Sequence, residues 1–159
     1  MLVDYYPIAV NIKAKRALVV GGGTVAERKT MTLLAAGARV KVVSPDITSV
    51  LKRLTKSGKI RWISRTVSRS DLCRTDIVIA ATSDNKINRE ISQWAKSRKV
   101  LVNVVDKPSL SDFISPALLR KRKAIMAVYT DGKDPVLSRD LKNFLKENWD
   151  VFLSYRNRL

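Results

Sequence analysis

Residues 17–26 run Ala17-Leu18-Val19-Val20-Gly21-Gly22-Gly23-Thr24-Val25-Ala26. The first four are apolar and half of them β-branched, which suits a buried strand, and they pass straight into three glycines. Beyond the glycines the period changes. Val25, Met31, Leu33 and Leu34 suit one apolar face of a helix, which Gly37 ends in the C′ position. Val40, Val42 and Val43 then make a second strand, closed by Ser44-Pro45. Strand, glycine turn, helix and strand in that order predict a βαβ unit with parallel pairing and a right-handed crossover.

The turn and the start of the helix, Gly21-Gly22-Gly23-Thr24-Val25-Ala26, fit G-x-G-x-x-A. Gly21 permits the tight turn, Gly23 lets backbone N–H groups approach a pyrophosphate, and Ala26 keeps the helix close to the strand. The positive end of the helix dipole then faces the phosphates. The six-residue match alone is weak, but its flanking elements are the right ones, so dinucleotide binding is favoured over a purely structural turn.

The alternation continues along the chain. Residues 47–56 read as a helix ending at Gly58, 60–63 as a short strand, and 76–81 as a buried strand. Residues 84–98 read as a helix with Ile87, Ile91 and Trp94 on one face, and 100–105 as a strand halted by Asp106-Lys107-Pro108. Five strands alternating with helices define an α/β fold, a Rossmann-type doubly wound parallel sheet. Residues 1–112 are expected to form this NAD-binding domain. Beyond them, residues 113–119 and 124–130 are extended stretches flanking Arg120-Lys121-Arg122-Lys123, which predicts a β-hairpin. Asp134-Pro135 is a helix start, with Leu137, Leu141, Phe144 and Leu145 at helical spacing and the helix extending past Trp149. A hairpin and one helix bury little core alone. Residues 113–159 are therefore expected to be a dimerisation and substrate-cleft segment that packs on a second copy of the chain.

Composition narrows the chemistry. The 159 residues are 45% hydrophobic and 28% charged, enough to bury a core. Lys plus Arg is 31 against 14 for Asp plus Glu, a net charge of +17, which calls for an acidic partner: nucleic acid, an anionic membrane or a polyanionic small molecule. The glycine fingerprint and the lack of a nucleic-acid motif favour the small molecule. Absence of histidine excludes a Ser-His-Asp triad and imidazole-ligated metal, and the single Cys73 excludes an internal disulfide or a CxxC site. No metal site is expected. With no run of 18 apolar residues and no leader-like start, neither a membrane span nor a signal peptide is expected, and the cytoplasm is the expected compartment.

Ligands of a doubly wound sheet gather at the carboxyl ends of its strands. Those ends hold Gly21, Ser44, Thr82-Ser83-Asp84 and residues 103–106. The second strand ends in Ser44-Pro45 with Asp46 just behind and no Arg immediately after, which leans towards NAD rather than NADP. Asp46 is either a ribose contact or the N-cap of the next helix, and both roles can hold together. Thr82 is expected near the cofactor, and Asp84 to cap the helix after it. Asp106 ends an apolar strand where a nicotinamide would lie. A carboxylate there can remove a proton while hydride leaves a neighbouring carbon, or it can simply form the turn before Lys107-Pro108.

Several segments together resemble a known family. Tyr6-Pro7-Ile8, VVGGGTVAERKTMTLLAAGARVKVVSP (19–45), IVIAATSDNKINREI (77–91), VLVNVVDKPSLSDFISPALL (100–119) and DPVLSRDLK (134–142) look like the precorrin-2 dehydrogenases. These form the siroheme-synthase N-terminal family, some members of which are also sirohydrochlorin ferrochelatases. The resemblance runs from Tyr6 to about residue 145, and GGG-x-V-A-x-R-K, AAT-x-D and NVVD in combination are far more specific than the glycines alone. It implies oxidation of precorrin-2 to sirohydrochlorin with hydride passing to NAD, and it places the main catalytic candidate on Asp106. Cofactor contacts fall on Thr24, Val25, Pro45 and Asp46, beside Gly21, Gly22, Gly23, Ser44 and Thr82 of the motif reading. Precorrin-2 is a polycarboxylate, which gives the positive charge a use. Its expected contacts are Asn103, Thr130, Lys133 and Arg139, with Arg120, Lys121, Arg122, Lys123 and Lys142 near the same segments.

The chain also departs from the family. Tyr129-Thr130-Asp131-Gly132 stands where many relatives have a Ser-Ser/Thr-Gly-Gly turn, so Thr130 replaces the family's serine. The sequence ends at Leu159, whereas longer relatives are expected to continue with a further helical domain. Chelation without histidine would fall to carboxylates such as Asp106, so dehydrogenation without chelation is the expectation. The rival reading is an NAD-sensing Rossmann module that binds without turnover.

Overall fold

The computed structural model describes residues 5–105, 107–121 and 124–156. The chain divides by packing into two compact units: a larger one of Pro7–Phe113, and a smaller one that takes Tyr5 and Tyr6 together with the described residues from Ile114 onward. The larger unit holds β1 (Arg16–Val20), α1 (Thr24–Ala35), β2 (Arg39–Val43), α2 (Ser49–Lys56), β3 (Ile60–Ile63), β4 (Ile77–Ala80), α3 (Asn85–Ser97) and β5 (Leu101–Val104). Its five strands are all parallel and lie in the order β3-β2-β1-β4-β5, so the chain reverses direction across the sheet between β1 and β4. That reversal is where a doubly wound sheet opens a crevice.

Both faces of the sheet are buried, which is why its strands carry near-continuous apolar runs. Ala17, Val19, Val40, Val42 and Ile79 face a core completed by Ala26 and Leu33 of α1 and Leu51 of α2. Leu18, Val20, Val43, Val78 and Val102 face the other, completed by Ile91 and Ala95 of α3. Ala26 is fully buried, as the close approach of α1 to the sheet requires. The edge strand β5 is covered by the chain returning behind it: Asp112 exchanges hydrogen bonds with Val102, and Ser111 Oγ accepts from Val104 N–H.

The structure adjusts the expected boundaries. α2 starts at Ser49 rather than 47, because Thr48 is its N-cap, its hydroxyl accepting from Leu51 N–H at 3.3 Å. Asp46 therefore does not cap this helix. Asp84 does cap α3, accepting from the N–H groups of Lys86 and Ile87. Phe113 packs into the core of the larger unit.

The smaller unit carries the antiparallel pair β6 (Ala117–Lys121) and β7 (Ala124–Val128), then α4 (Pro135–Glu147) and α5 (Trp149–Arg156). Strand β6 runs on through Arg120 and Lys121, which had been expected in the turn. Arg122 and Lys123 lie outside the described residues. Asp134 caps α4 with Pro135 in its first turn, as expected, but Asn148 caps its far end and α5 is a separate helix.

Candidate functional site

The carboxyl ends of β1, β2 and β4 enclose a cleft of about 600 Å³, inside the roughly 300–1,000 Å³ typical of cofactor sites. Its floor is the glycine turn. Gly21 is buried with φ +119, and a side chain there would run into the carbonyl of Ala81 after β4. A Cβ on Gly22 would overlap the carbonyl oxygen of Asp46, because the segment after β2 folds directly onto this α-carbon and Thr48 N–H bonds Gly22 O at 3.0 Å. Gly23 differs from both: a Cβ there would meet nothing within 4 Å. The first two glycines serve the fold, and the third leaves the cleft open.

Gly23 is also the N-cap of α1, and no side chain caps that helix. α2, α3 and α4 are each capped by a side chain, from Thr48, Asp84 and Asp134 respectively. The first N–H groups of α1 and the positive end of its dipole are thus left facing the cleft, an arrangement suited to a pyrophosphate. The acid in its first turn, Glu27, is drawn aside: Thr48 Oγ1 donates to its carboxylate at 2.6 Å.

Of the expected cofactor contacts, Gly21, Gly22, Gly23, Thr24, Val25, Ser44, Pro45 and Thr82 all line this cleft. Asp46 does not; its backbone is used against Gly22 instead. The end of β2 is fixed from outside, since Trp62 Nε1 donates to Ser44 O and Ser64 Oγ to Pro45 O, both at 2.9 Å. Thr82 is fixed by Asn88, a residue the sequence reading passed over. Thr82 Oγ1 donates to Asn88 Oδ1 at 2.8 Å, and Asn88 Nδ2 returns a bond to Thr82 O at 2.9 Å. A polar residue on the buried stripe Asn88, Ile91, Ser92, Ala95 was the available signal.

Asp106 lies outside the described residues; Val105, which precedes it, lines the cleft. Asn103, an expected substrate contact, is engaged within the fold. It is buried, and its Nδ2 donates to Phe113 O at 3.0 Å, so it anchors the chain leaving the sheet and is absent from the cleft lining. Thr130, Lys133 and Arg139 belong to the smaller unit. Thr130 Oγ1 bonds Asp134 O at 2.7 Å and Ser138 Oγ at 2.8 Å, fixing the approach to α4. Lys133 pairs with Asp131 at 3.9 Å and Arg139 with Asp140 at 3.0 Å. Among the described residues, no three His, Cys, Asp or Glu side chains gather as metal ligands.

One wall of the cleft comes from an unexpected segment. Thr66 and Val67 line it, and the residues around them fold onto the buried carboxylate of Asp71. Arg65 meets that carboxylate with both Nη atoms, at 2.7 and 2.9 Å, and Ser68 N–H donates to it at 2.8 Å. Burial pushes the Asp71 carboxyl up, but these bonds and the charges of Lys41 and Arg65 outweigh it and bring the pKa down from 3.8 to about 2. A carboxyl lowered by folding stabilises the fold above its ordinary range, and that contribution is lost as pH falls through the folded value. Asp76, held by Arg16 N–H, shifts in the same direction. Denaturant unfolding is therefore expected to show stability falling between about pH 4 and pH 2, with a smaller fall for Asp71→Asn. Equal slopes in the two proteins would contradict this.

Parallel order 3-2-1-4-5, a glycine turn at the crevice and an uncapped helix pointing into it define a dinucleotide-binding protein of the doubly wound class. The family model described as "Putative NAD(P)-binding" matches residues 8–117, and the chain belongs to that family. It is 38% identical over 143 residues to siroheme synthase 1 of Serratia proteamaculans, covering 90% of this chain and 30% of that one. A siroheme synthase of Actinobacillus pleuropneumoniae is 41% identical over 143 residues, with coverage of 90% and 29%. The chain thus spans about 30% of the length of these curated relatives. Among solved structures it is similar to SirC, a precorrin-2 dehydrogenase, with TM-score 0.79 and 29% identity over 91% of this chain and 71% of that one. Among the described residues no helix is long and apolar enough to cross a membrane.

Proposed function

We propose that this chain is an NAD-dependent precorrin-2 dehydrogenase of siroheme biosynthesis, removing two hydrogens from precorrin-2 to give sirohydrochlorin. The observation that carries the reading is the cleft: a glycine cradle under an uncapped helix, beside the ends of β4 and β5, in a chain similar over 91% of its length to a precorrin-2 dehydrogenase. The cradle fits a dinucleotide because the space over Gly23 is open.

The residues divide the work. The N–H groups at the start of α1 hold the pyrophosphate, with Thr24 and Val25 lining its path. Ser44 and Pro45, pinned by Trp62 and Ser64, receive the adenosine ribose. Thr82, oriented by Asn88, stands on the nicotinamide side. NAD, when bound, accepts a hydride. Asp106 takes the proton that leaves the substrate in the same oxidation, so two hydrogens depart as hydride and proton. Lys133 and Arg139 carry positive charge of the kind that suits a polycarboxylate, and metal insertion forms no part of the proposal. Anaerobic incubation with precorrin-2 and NAD is expected to give sirohydrochlorin and an equal amount of NADH. Neither product forming at saturating NAD would overturn the enzyme reading.

The smaller unit is proposed to pair with a second copy, in the cytoplasm. Leu137, Leu141, Phe144 and Leu145 share one face of α4, and all four are exposed. Phe144, at 60% exposure, is among the most open of them. An apolar stripe of this kind marks an interaction surface. Sedimentation is expected to return a dimer, and Phe144→Asp a monomer that still unfolds cooperatively but at a lower temperature. A monomeric wild type would contradict the assignment.

A further inference from the structure

We propose that Asp71, acting through Arg65, is a positioning residue that presets the wall for the adenosine half of the dinucleotide. The proposal rests on the dinucleotide reading of the cleft. In a doubly wound sheet the end of β2 takes the adenosine ribose. β3 lies beyond β2, on the side away from β1, and the segment that follows β3 supplies Thr66 and Val67 to the cleft. These residues therefore wall the adenosine half, while the ends of β4 and β5 serve the other half.

The segment has little regular structure of its own. After β3 it makes one short 3-10 turn, Arg69–Leu72, before β4 begins. What shapes it is a single carboxylate. Asp71 receives the fork of Arg65, the Ser68 N–H and the Ser68 hydroxyl, and Lys41 from β2 lies 3.6 Å away. Lys41 also donates to Asp71 O at 2.9 Å, tying the turn back to the strand that carries Ser44. Arg65 Nη1 reaches the Thr66 carbonyl at 2.8 Å while holding Asp71, so the same guanidinium sets the peptide of the wall residue. Val67 packs on the core beside Ile63 and Leu72, which leaves Thr66 exposed towards the cleft. A planar fork can make these contacts together, and a lysine ammonium cannot.

The contacts that stabilise the fold through Asp71 thus also fix the geometry of the wall. The test uses the full chain as wild type, Asp71→Asn and Arg65→Lys, titrated with NAD, AMP and nicotinamide mononucleotide. Both variants are expected to bind NAD and AMP about tenfold more weakly, with nicotinamide mononucleotide unchanged. In turnover the KM for NAD should rise while kcat at saturating NAD holds. Arg65 is 44% exposed and Arg65→Lys keeps the charge, so that variant carries the test if Asp71→Asn does not fold. Unchanged AMP affinity in Arg65→Lys, or a parallel loss of AMP and nicotinamide mononucleotide, overturns the positioning role alone. A wild type that binds neither nucleotide overturns the dinucleotide site and this role with it.

Discussion

Gly23→Asp is expected to weaken NAD binding by at least about a hundredfold without lowering the melting temperature. A Cβ at this position meets nothing within 4 Å, so the substitution has room. Position 23 is the N-cap of α1, where aspartate is among the most favourable residues, and its carboxylate would accept from the N–H groups now left bare. The helix gains a side-chain cap, a stabilising change of only about 0.3 kcal/mol, since glycine is itself a tolerated N-cap. The same carboxylate takes the donors a pyrophosphate needs and puts a negative charge where the phosphates belong. Stability and binding should move in opposite directions, which separates this substitution from one that merely damages the fold. Gly22→Ala is the contrast, since its Cβ collides with the Asp46 carbonyl and the loss should appear in stability. Calorimetric titration with NAD, beside thermal denaturation, checks both. Retained NAD affinity in Gly23→Asp would refute the placement of the pyrophosphate.

Asp106→Ala is expected to lower kcat for precorrin-2 oxidation by about 10²–10⁴-fold, the range for removal of a positioned general base. The affinity for NAD should not change, because the proposed cofactor contacts lie on other residues. That split distinguishes an enzyme from a sensor. In a module that only binds NAD, Asp106 would have no turnover to lose and the wild type itself would be inactive. An equal fall in NAD affinity and kcat would instead place Asp106 in cofactor binding.

Much of this architecture was legible because local and long-range preferences agree. The apolar run before Gly21, the periodic helix after it and the second valine-rich strand each have one reading, and together they leave one topology. Asp84 and Asp134 could be assigned as caps because each precedes its helix with no competitor. Asp46 could not, because Thr48 stands two residues later and is further engaged with Glu27 on another helix. That tertiary contact leaves no local trace. The segment from Ser64 to Thr75 stayed unread for a related reason. It is polar and aperiodic, and its order comes from Asp71 reaching Arg65 and from Lys41 on a different strand. Asn103 was legible as a strand-end residue, but a strand pattern does not reveal that Phe113 returns to accept from its Nδ2.

A crystal structure of the chain grown with saturating NAD tests the central claim most directly. The pyrophosphate is expected over Gly23 at the start of α1, with the adenosine between Pro45 and Thr66 and the nicotinamide beside Thr82 and Val105. A dinucleotide bound elsewhere, or a cleft left empty under those conditions, would contradict it.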